Sequence, residues 1–318
     1  MRRRHLLAAP LLAAPGLRAQ PAWPTRPLRM LVPFPPGGTT DVLARLVAAH
    51  MERTLGQPVV LENRPGAAGN LAVDAVAKAA PDGYTIGVGT PSNMAINPVL
   101  MPNMPYDALR DIAALSLLAL VPNVVMVNND VPARTLAEFI AWARARPGQA
   151  FGHPGAGTTQ QLSGTLLALA AGIELQHVPF RGGAPALIEL IAGRIPVVVD
   201  SIAGPIGAIR EGRVRALAVT SRERMPQLPE VPAVSETFPG FEALSWVGFI
   251  APARVPELIL DRVSAAAQAA ARDPEIRRRI EESVSIPVGG DRAGFASFIR
   301  SEMERWTPAI RASGIRPE

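Results

Sequence analysis

The sequence predicts an α/β protein of two lobes, built from mostly parallel sheets with helices packed on them. Three observations carry that expectation. Strand-like apolar runs alternate with segments of helical periodicity along the chain, the pattern of layered α/β domains. A length of 318 residues is enough for two cores of ordinary size. Two segments about 120 residues apart also look like copies of one device, Leu28-Arg-Met-Leu-Val-Pro-Phe-Pro-Pro-Gly-Gly-Thr-Thr-Asp-Val-Leu43 and Phe151-Gly-His-Pro-Gly-Ala-Gly-Thr-Thr-Gln-Gln-Leu162. Each passes from an extended stretch through prolines and glycines into Thr-Thr and then a helical pattern.

The first strand is followed by a helix over Asp41–Gly56, with Val42, Leu43, Leu46, Val47 and Met51 on one face. Pro58–Leu61 reads as a strand, Glu62–Asn70 as a turn-rich connection, and Leu71–Ala80 as a helix stopped by Pro81-Asp82-Gly83. Tyr84–Gly89 is the next strand and leads into Thr90-Pro-Ser-Asn93, whereas Ile96–Arg110 is expected to be irregular. Val124–Asn128 is a strand, and Thr135-Leu-Ala-Glu138 is a capping box opening a helix that ends between Arg144 and Gly148. The helix after the second Thr-Thr stops near Gly172, and Pro185 and Gly193 bracket another. Ile195–Asp200 is continuously apolar until its last residue, as a buried parallel strand requires. Val214–Thr220 is a further strand, the proline-rich Met225–Gly240 reads as a linker, and Ala243–Ile250 is a strand. Three helices near 256–271, 274–282 and 291–313 close the chain.

The repeated turn suggests chemistry. A helix N-terminus presents unpaired N–H donors and a partial positive charge, so it accepts an anion readily. In Pro35-Pro36-Gly37-Gly38-Thr39-Thr40-Asp41, the two glycines let a ligand approach the backbone and the threonines cap the helix or donate hydroxyls. Gly155-Ala156-Gly157-Thr158-Thr159 repeats that logic, with Gln160 next in line. Either segment alone also fits an ordinary capping turn. Together, they suggest two lobes that grip one carboxylate, and a receptor for a small carboxylate is the favoured reading. Phe180-Arg181-Gly182-Gly183-Ala184 offers a third such turn. Its Arg181 is open to two readings, a bidentate partner for a second carboxylate or a surface charge. Asp200 ends a strand, where α/β proteins place ligand sites. It fits either a helix cap or an acceptor for a ligand ammonium or hydroxyl.

Other classes find little support. No Gly-x-x-x-x-Gly-Lys or Gly-x-Gly-x-x-Gly occurs in either turn, so the nucleotide fingerprints are missing. There is no cysteine, and His50, His153 and His177 show no metal-ligand spacing, so neither a cofactor nor a metal is expected. His153 near Thr158 and Ser163 leaves a hydrolase as the rival from another class, though Gly-x-Ser-x-Gly is absent. The net charge of +5 comes largely from Arg2, Arg3, Arg4 and Arg18, beyond which 28 basic residues face 27 acidic ones. Lys78 is the one lysine, so no basic stripe argues for nucleic acid. Residues 1–19 read as an export signal, with a charged start, an apolar Leu6–Ala14 and a cleavage-like Leu17-Arg18-Ala19. Arg3-Arg4-His5-Leu6-Leu7 keeps the twin-arginine route open beside the general one.

Several segments together resemble a known family. Val32-Pro-Phe-Pro-Pro-Gly-Gly-Thr-Thr-Asp41, Glu62-Asn-Arg-Pro-Gly-Ala-Ala-Gly-Asn70, Pro81-Asp-Gly-Tyr-Thr85 and Val178-Pro-Phe-Arg-Gly-Gly-Ala-Pro-Ala186 are similar to signature segments of the Bug receptors. Those are the extracytoplasmic solute-binding proteins of tripartite tricarboxylate transporters. Arg213–Thr220 and Pro229–Ala233 add to the likeness, which runs in order from about Pro27 onward. The resemblance implies a type II periplasmic-binding-protein fold: two α/β lobes around a ligand cleft, joined by crossing strands. It implies a first lobe of 24–122 plus 247–318 and a second of 123–246, with the closing helices returned to the first. It further implies that one carboxylate is gripped by the loop of Phe34, Pro36, Gly37, Gly38 and Thr39 and by that of Gly157, Thr158 and Thr159. Loops around Ser92, Asn93, Gly182, Gly183 and Asp200 would complete the pocket. Gly-Ala-Gly-Thr-Thr stands where Gly-Ser or Gly-Asn-Gly-Ser is common, and His153 where a small residue is. The implied function is a monomeric periplasmic receptor that closes on a small organic carboxylate and delivers it to membrane transporter subunits. A receptor that signals to a partner instead is the alternative within the class.

Overall fold

The computed structural model describes residues 23–314; the expected export signal, residues 1–19, lies outside them. β1 (Leu28–Val32) feeds through the first glycine turn into α1 (Thr39–Leu55), and β2 (Val59–Asn63) and β3 (Thr85–Gly89) flank β1 in parallel register. Between them lies α2 (Asn70–Ala77). A π-turn at Ser92–Ile96 and the short α3 (Asn97–Leu100) follow β3. The irregular stretch expected here is thus partly helical. Its connection is held by the Tyr106 hydroxyl, which donates to the Asn93 carbonyl at 2.6 Å.

β4 is a single strand of 16 residues, Ile112–Val127, much longer than the expected Val124–Asn128. Its first half pairs antiparallel with β9 (Leu244–Pro252), and its second with β7 (Val197–Ser201) and β8 (Arg215–Val219). In the second lobe, β5 (Gln149–His153) lies parallel to β7 and to β6 (Leu175–Pro179). The helices of this lobe are α4 (Leu136–Arg144), α5 (Thr159–Ala171), α6 (Gly183–Ile191) and α7 (Ile206–Arg210). The chain returns through β9 to α8 (Glu257–Arg272), α9 (Pro274–Glu282), the short β10 (Ile286–Pro287) and α10 (Arg292–Ser313). The sheet order β2-β1-β3-β9-β4-β7-β5-β6 therefore runs through both lobes, with β4 at the junction.

Local signals explain most of these starts and stops. Thr135 and Glu138 form the expected capping box, and Asp273 and Asp291 cap α9 and α10 through their carboxylates. Met225–Gly240 corrects the sequence expectation of a linker. Leu228, Val231, Ala233 and Val234 are buried, Val219 N–H donates to the Pro232 carbonyl at 2.9 Å, and Arg224 grips Glu236 at 2.8 and 2.7 Å. The prolines punctuate an ordered flap that helps to cover the second lobe.

The apolar cores divide on either side of the junction. One draws Leu28–Val121 residues together with Val247–Ile280, and another draws Val125–Val234 residues. α10 bridges them: Trp306, Ala309 and Ile310 pack with Ala95 and Ile96 from one side and with Leu162 and Ala243 from the other. Glu302 of α10, buried, accepts from Trp306 Nε1 at 3.0 Å and from Trp246 Nε1 of β9 at 3.1 Å.

The chain crosses between lobes through a buried polar node. Asn123 N–H donates to Thr220 Oγ1 at 3.0 Å, Thr220 N–H returns to the Asn123 carbonyl at 2.9 Å, and Thr220 Oγ1 donates to the Ala243 carbonyl at 2.6 Å. Asn123 Nδ2 reaches Ser163 Oγ of α5 at 3.0 Å. Thr220→Val removes the hydroxyl from this node and leaves polar partners buried without it. Its expected cost is about 1–3 kcal/mol, read as a lower urea midpoint at unchanged slope; an unaltered midpoint would show that the node does not stabilise the crossing.

Candidate functional site

Three helices begin at the same place. α1 starts behind Gly38, α5 behind Thr158 and α6 behind Gly182, and the residues at all three N-termini line one cavity of about 370 Å³ between the lobes. Its wall is completed by Phe34, Pro35 and Thr40 from the first turn, Thr90 and Ser92 after β3, Pro154 and Gln160 from the second turn, Arg181, Asp200 and Ser201, and by Val121, Ser245 and Val247 from the crossing strands. Because a helix leaves its first N–H groups without intrahelical acceptors, the cavity faces bare donors and the positive ends of three dipoles.

Each turn is built by its own chemistry. In the first, Gly37 has φ +86°, a left-handed conformation that favours glycine. Its N–H donates to Asp41 Oδ2 at 2.9 Å; Arg45 and Asn63 Nδ2 also bond that carboxylate, and the same Asn63 amide holds the Phe34 carbonyl at 2.8 Å. Burial would raise the Asp41 pKa, yet the bonds from Arg45, Asn63 and Gly37 outweigh it and hold the carboxyl below its ordinary range. Asp41 is therefore the turn's internal anchor and does not line the cavity.

In the second turn, Gly155 O accepts from Thr158 Oγ1 at 2.7 Å and bonds His153 Nδ1 at 2.9 Å, the ring nitrogen then carrying the proton. Gly157, at φ +69°, has its N–H taken by Gln161 Oε1 at 2.8 Å. The third turn leans on the second through Gly182 N–H to the Pro154 carbonyl at 3.0 Å. Asp200 lies against the start of α6. A Cβ on Gly183 would stand 1.9 Å from its Oδ2, and its Oδ1 accepts from Ser201 N–H at 2.8 Å. Burial pushes the Asp200 carboxyl up to about 7, the Ser201 bonds offsetting part of the rise.

The structure brings Phe34, Gly38, Thr39, Ser92, Thr158, Thr159, Gln160, Arg181, Gly182, Gly183 and Asp200 to the cavity wall. It leaves Pro36, Gly37, Asp41, Asn93 and Gly157, which the sequence reading placed at the ligand, off that wall. Gly37, Asp41 and Gly157 spend their polar groups within the turns, Asn93 Oδ1 accepts from Thr90 N–H at 2.9 Å, and Asn93 is wholly buried beside Gly69. Pro36 is exposed.

A model of the tripartite tricarboxylate transporter family receptor matches residues 43–315. The chain belongs to this receptor family. Among its curated relatives, a protein encoded in the tcbD-tcbE intergenic region of Pseudomonas sp. (strain P51) is 39% identical over 315 residues, 97% of this chain and 94% of that one. Protein BugT of Bordetella pertussis (strain Tohama I) is 34% identical over 297 residues, covering 92% and 91%. Among solved structures, R. palustris Rpa4515 with adipate superposes at a TM-score of 0.86 with 35% identity, over 93% of this chain and 100% of that one. MatC from Rhodopseudomonas palustris with bound malate gives 0.81 and 33%, over 91% and 100%. The periplasmic binding protein BugD gives 0.83 and 30%, over 93% of this chain and 100% of that one, and the α/β periplasmic-binding-protein fold expected from the sequence is the one observed.

For this receptor, the sequence missed wall residues that only the crossing of strands brings in: Val121, Ser245 and Val247. It also missed Thr90, whose buried Oγ1 has no protein partner and whose residue lines the cavity; an isolated threonine after a strand carries no pattern that would flag it. His153 is placed beneath the second turn, wholly buried, with its ring 5.4 Å from Phe151 and 5.6 Å from His177. Its Nε2 finds no hydroxyl, and Ser163 Oγ donates to the Thr159 carbonyl, so the nucleophile–base pair weighed from the sequence does not form. No helix among the described residues is long and apolar enough to cross a membrane.

Burial pushes the His153 pKa down to about 4, only partly offset by the Gly155 bond. The unfolded chain, near 6.5, takes up the proton more readily, so this contribution to stability is complete above pH 6.5 and lost as the pH falls towards 4. The loss is on the order of 1–3 kcal/mol. His153→Phe should flatten the decline in urea midpoint between pH 6.5 and 4; parallel declines in both proteins would rule the assignment out.

Proposed function

We propose that this receptor captures a small organic carboxylate in the periplasm by closing its lobes, and presents it to the membrane subunits of a tripartite tricarboxylate-type transporter. The observation that carries this reading is the approach of α1 and α5 from opposite lobes to one cavity, each presenting unpaired N–H groups and hydroxyl-bearing threonines. A carboxylate held there by four or five charge-assisted hydrogen bonds, each worth about 1.5–3 kcal/mol net, reaches the roughly 8 kcal/mol of a micromolar ligand after association costs. One turn alone falls short, which ties affinity to closure. The adipate and malate bound by two structural neighbours belong to the same ligand class.

In this reading, the lobes comprise 24–122 plus 247–318 and 123–246, hinged where Pro122–Asn123 and Leu244–Trp246 cross. The protein acts as a monomer, exported by residues 1–19. Thr90 Oγ1 meets the ligand, and the N–H groups of Thr39, Thr40, Thr159 and Gln160 are its principal donors.

The test is a thermal-shift and calorimetric screen of the purified, refolded protein against mono-, di- and tricarboxylates and their amides. A ligand at one hundred times its Kd adds about 2.7 kcal/mol to stability. Gly38 has ordinary backbone angles, and a Cβ there meets nothing closer than the Pro35 carbonyl at 3.9 Å. Gly38→Asp should therefore fold, yet lose at least a hundredfold in affinity, because it sets an anion where the carboxylate sits. Undiminished binding by that variant would remove α1 from the site.

A further inference from the structure

Of the three helix N-termini at the cavity, that of α6 has a buried carboxylate of the protein itself beside it. Asp200 Oδ2 packs on Gly183, where an added Cβ would stand 1.9 Å from it, and Oδ1 is held by the Ser201 N–H. The residue is 6% exposed, and its remaining surface lines the cavity. Among the described residues, no cation comes within ion-pair distance of it, and Arg181, the one cation on the wall, is exposed. A buried carboxylate without a cationic partner is unusual, because the cost of taking its charge out of water has nothing to offset it. The starts of α1 and α5 face the cavity with no protein carboxyl on the wall beside them, while the start of α6 has Asp200.

Resting on the carboxylate reading above, we propose that the ligand is an amino carboxylic acid, whose carboxylate sits between α1 and α5 and whose ammonium pairs with Asp200. The two ends of the cavity then have opposite polarity. A second carboxylate placed on the third wall would face Asp200, and two ionised carboxyl groups at close range repel. An ammonium there gains a buried, charge-assisted bond and removes the uncompensated charge. A hydroxyl can donate to the same oxygen, but supplies no counter-charge.

Isothermal titration calorimetry at pH 8, where Asp200 is ionised, separates these possibilities with two matched series: succinate, 4-hydroxybutyrate and 4-aminobutyrate, and adipate, 6-hydroxyhexanoate and 6-aminohexanoate. The expected result is that, in the series whose length fits, the amino acid binds at least tenfold tighter than the diacid, with the hydroxy acid between them. Asp200→Asn is nearly isosteric, and in it the preference should invert, the diacid gaining while the amino acid loses at least tenfold. That gain also shows the variant to be folded. A diacid preferred by the unmodified protein, or an amino acid bound equally by Asp200→Asn, overturns the inference and leaves the carboxylate reading intact. No binding by any of the six, together with no shift across the wider acid panel, overturns both.

Discussion

The position of every group in the cleft depends on how the chain crosses between lobes. Asn123 and Thr220 exchange main-chain and hydroxyl hydrogen bonds at the crossing, and Thr220 Oγ1 fixes Ala243 at the entry to β9. From the same node, Asn123 Nδ2 reaches Ser163 Oγ, which donates to the Thr159 carbonyl at 2.6 Å. Thr159 is the first residue of α5 and lies on the cavity wall. The hinge and the second turn are thus joined by a chain of two hydrogen bonds, buried where an unmade bond is costly. α10 adds a second tie across the lobes through Trp306 and Glu302. Burial raises the Glu302 pKa, only partly countered by Arg305 and the two indole donors, so that tie includes a carboxyl held in a costly place.

What the sequence revealed, and what it hid, follows from the range of the interactions involved. Elements set by neighbours in the chain were legible: the apolar run of β7, the capping box at Thr135 and the glycine stops at Gly56 and Gly172 all act within a turn or two. The long β4 was not, because Pro122 breaks its apolar run and proline argues against a central strand. The fold accommodates Pro122 where pairing passes from β9 to β7 and β8, so its missing N–H falls at the seam between ladders. β6 was missed because Gln176 and Pro179 are exposed on the sheet's last strand, leaving no alternation to read. Met225–Gly240 misled in the opposite direction, its prolines suggesting a linker where Leu228 and Val231 are packed into a core.

The site shows the same division. The sequence identified which turns would meet, since each contains Gly and Thr-Thr before a helix. It could not distinguish the residues that face the cavity from those that build the turn. Asp41 and Gly157 belong to the same short motifs as Gly38 and Thr158, yet the first pair is consumed by internal hydrogen bonds and the second lines the wall. Such bonds are decided by Arg45, Asn63 and Gln161, one or more helical turns or a whole strand away. The unusual His153 is a further case. It lies under the second turn, bonded to the Gly155 carbonyl from below, and does not line the cavity.

Backbone dipoles, more than side-chain charge, give this cleft its polarity. The described chain has a single lysine, Lys78, which pairs with Asp74 away from the cavity, and Arg181 is the one cation on the wall. Attraction for an anion then rests on N–H groups whose direction is fixed by α1 and α5, effective over the first turn only. A field of that kind rewards an anion placed in line with the helix ends and gives little to one elsewhere in the cavity. Asp200 sharpens the contrast, because it sets a buried carboxyl beside the start of α6 on the same wall. The wall therefore has unequal ends, bare N–H groups at the starts of α1 and α5 and a carboxyl beside the start of α6.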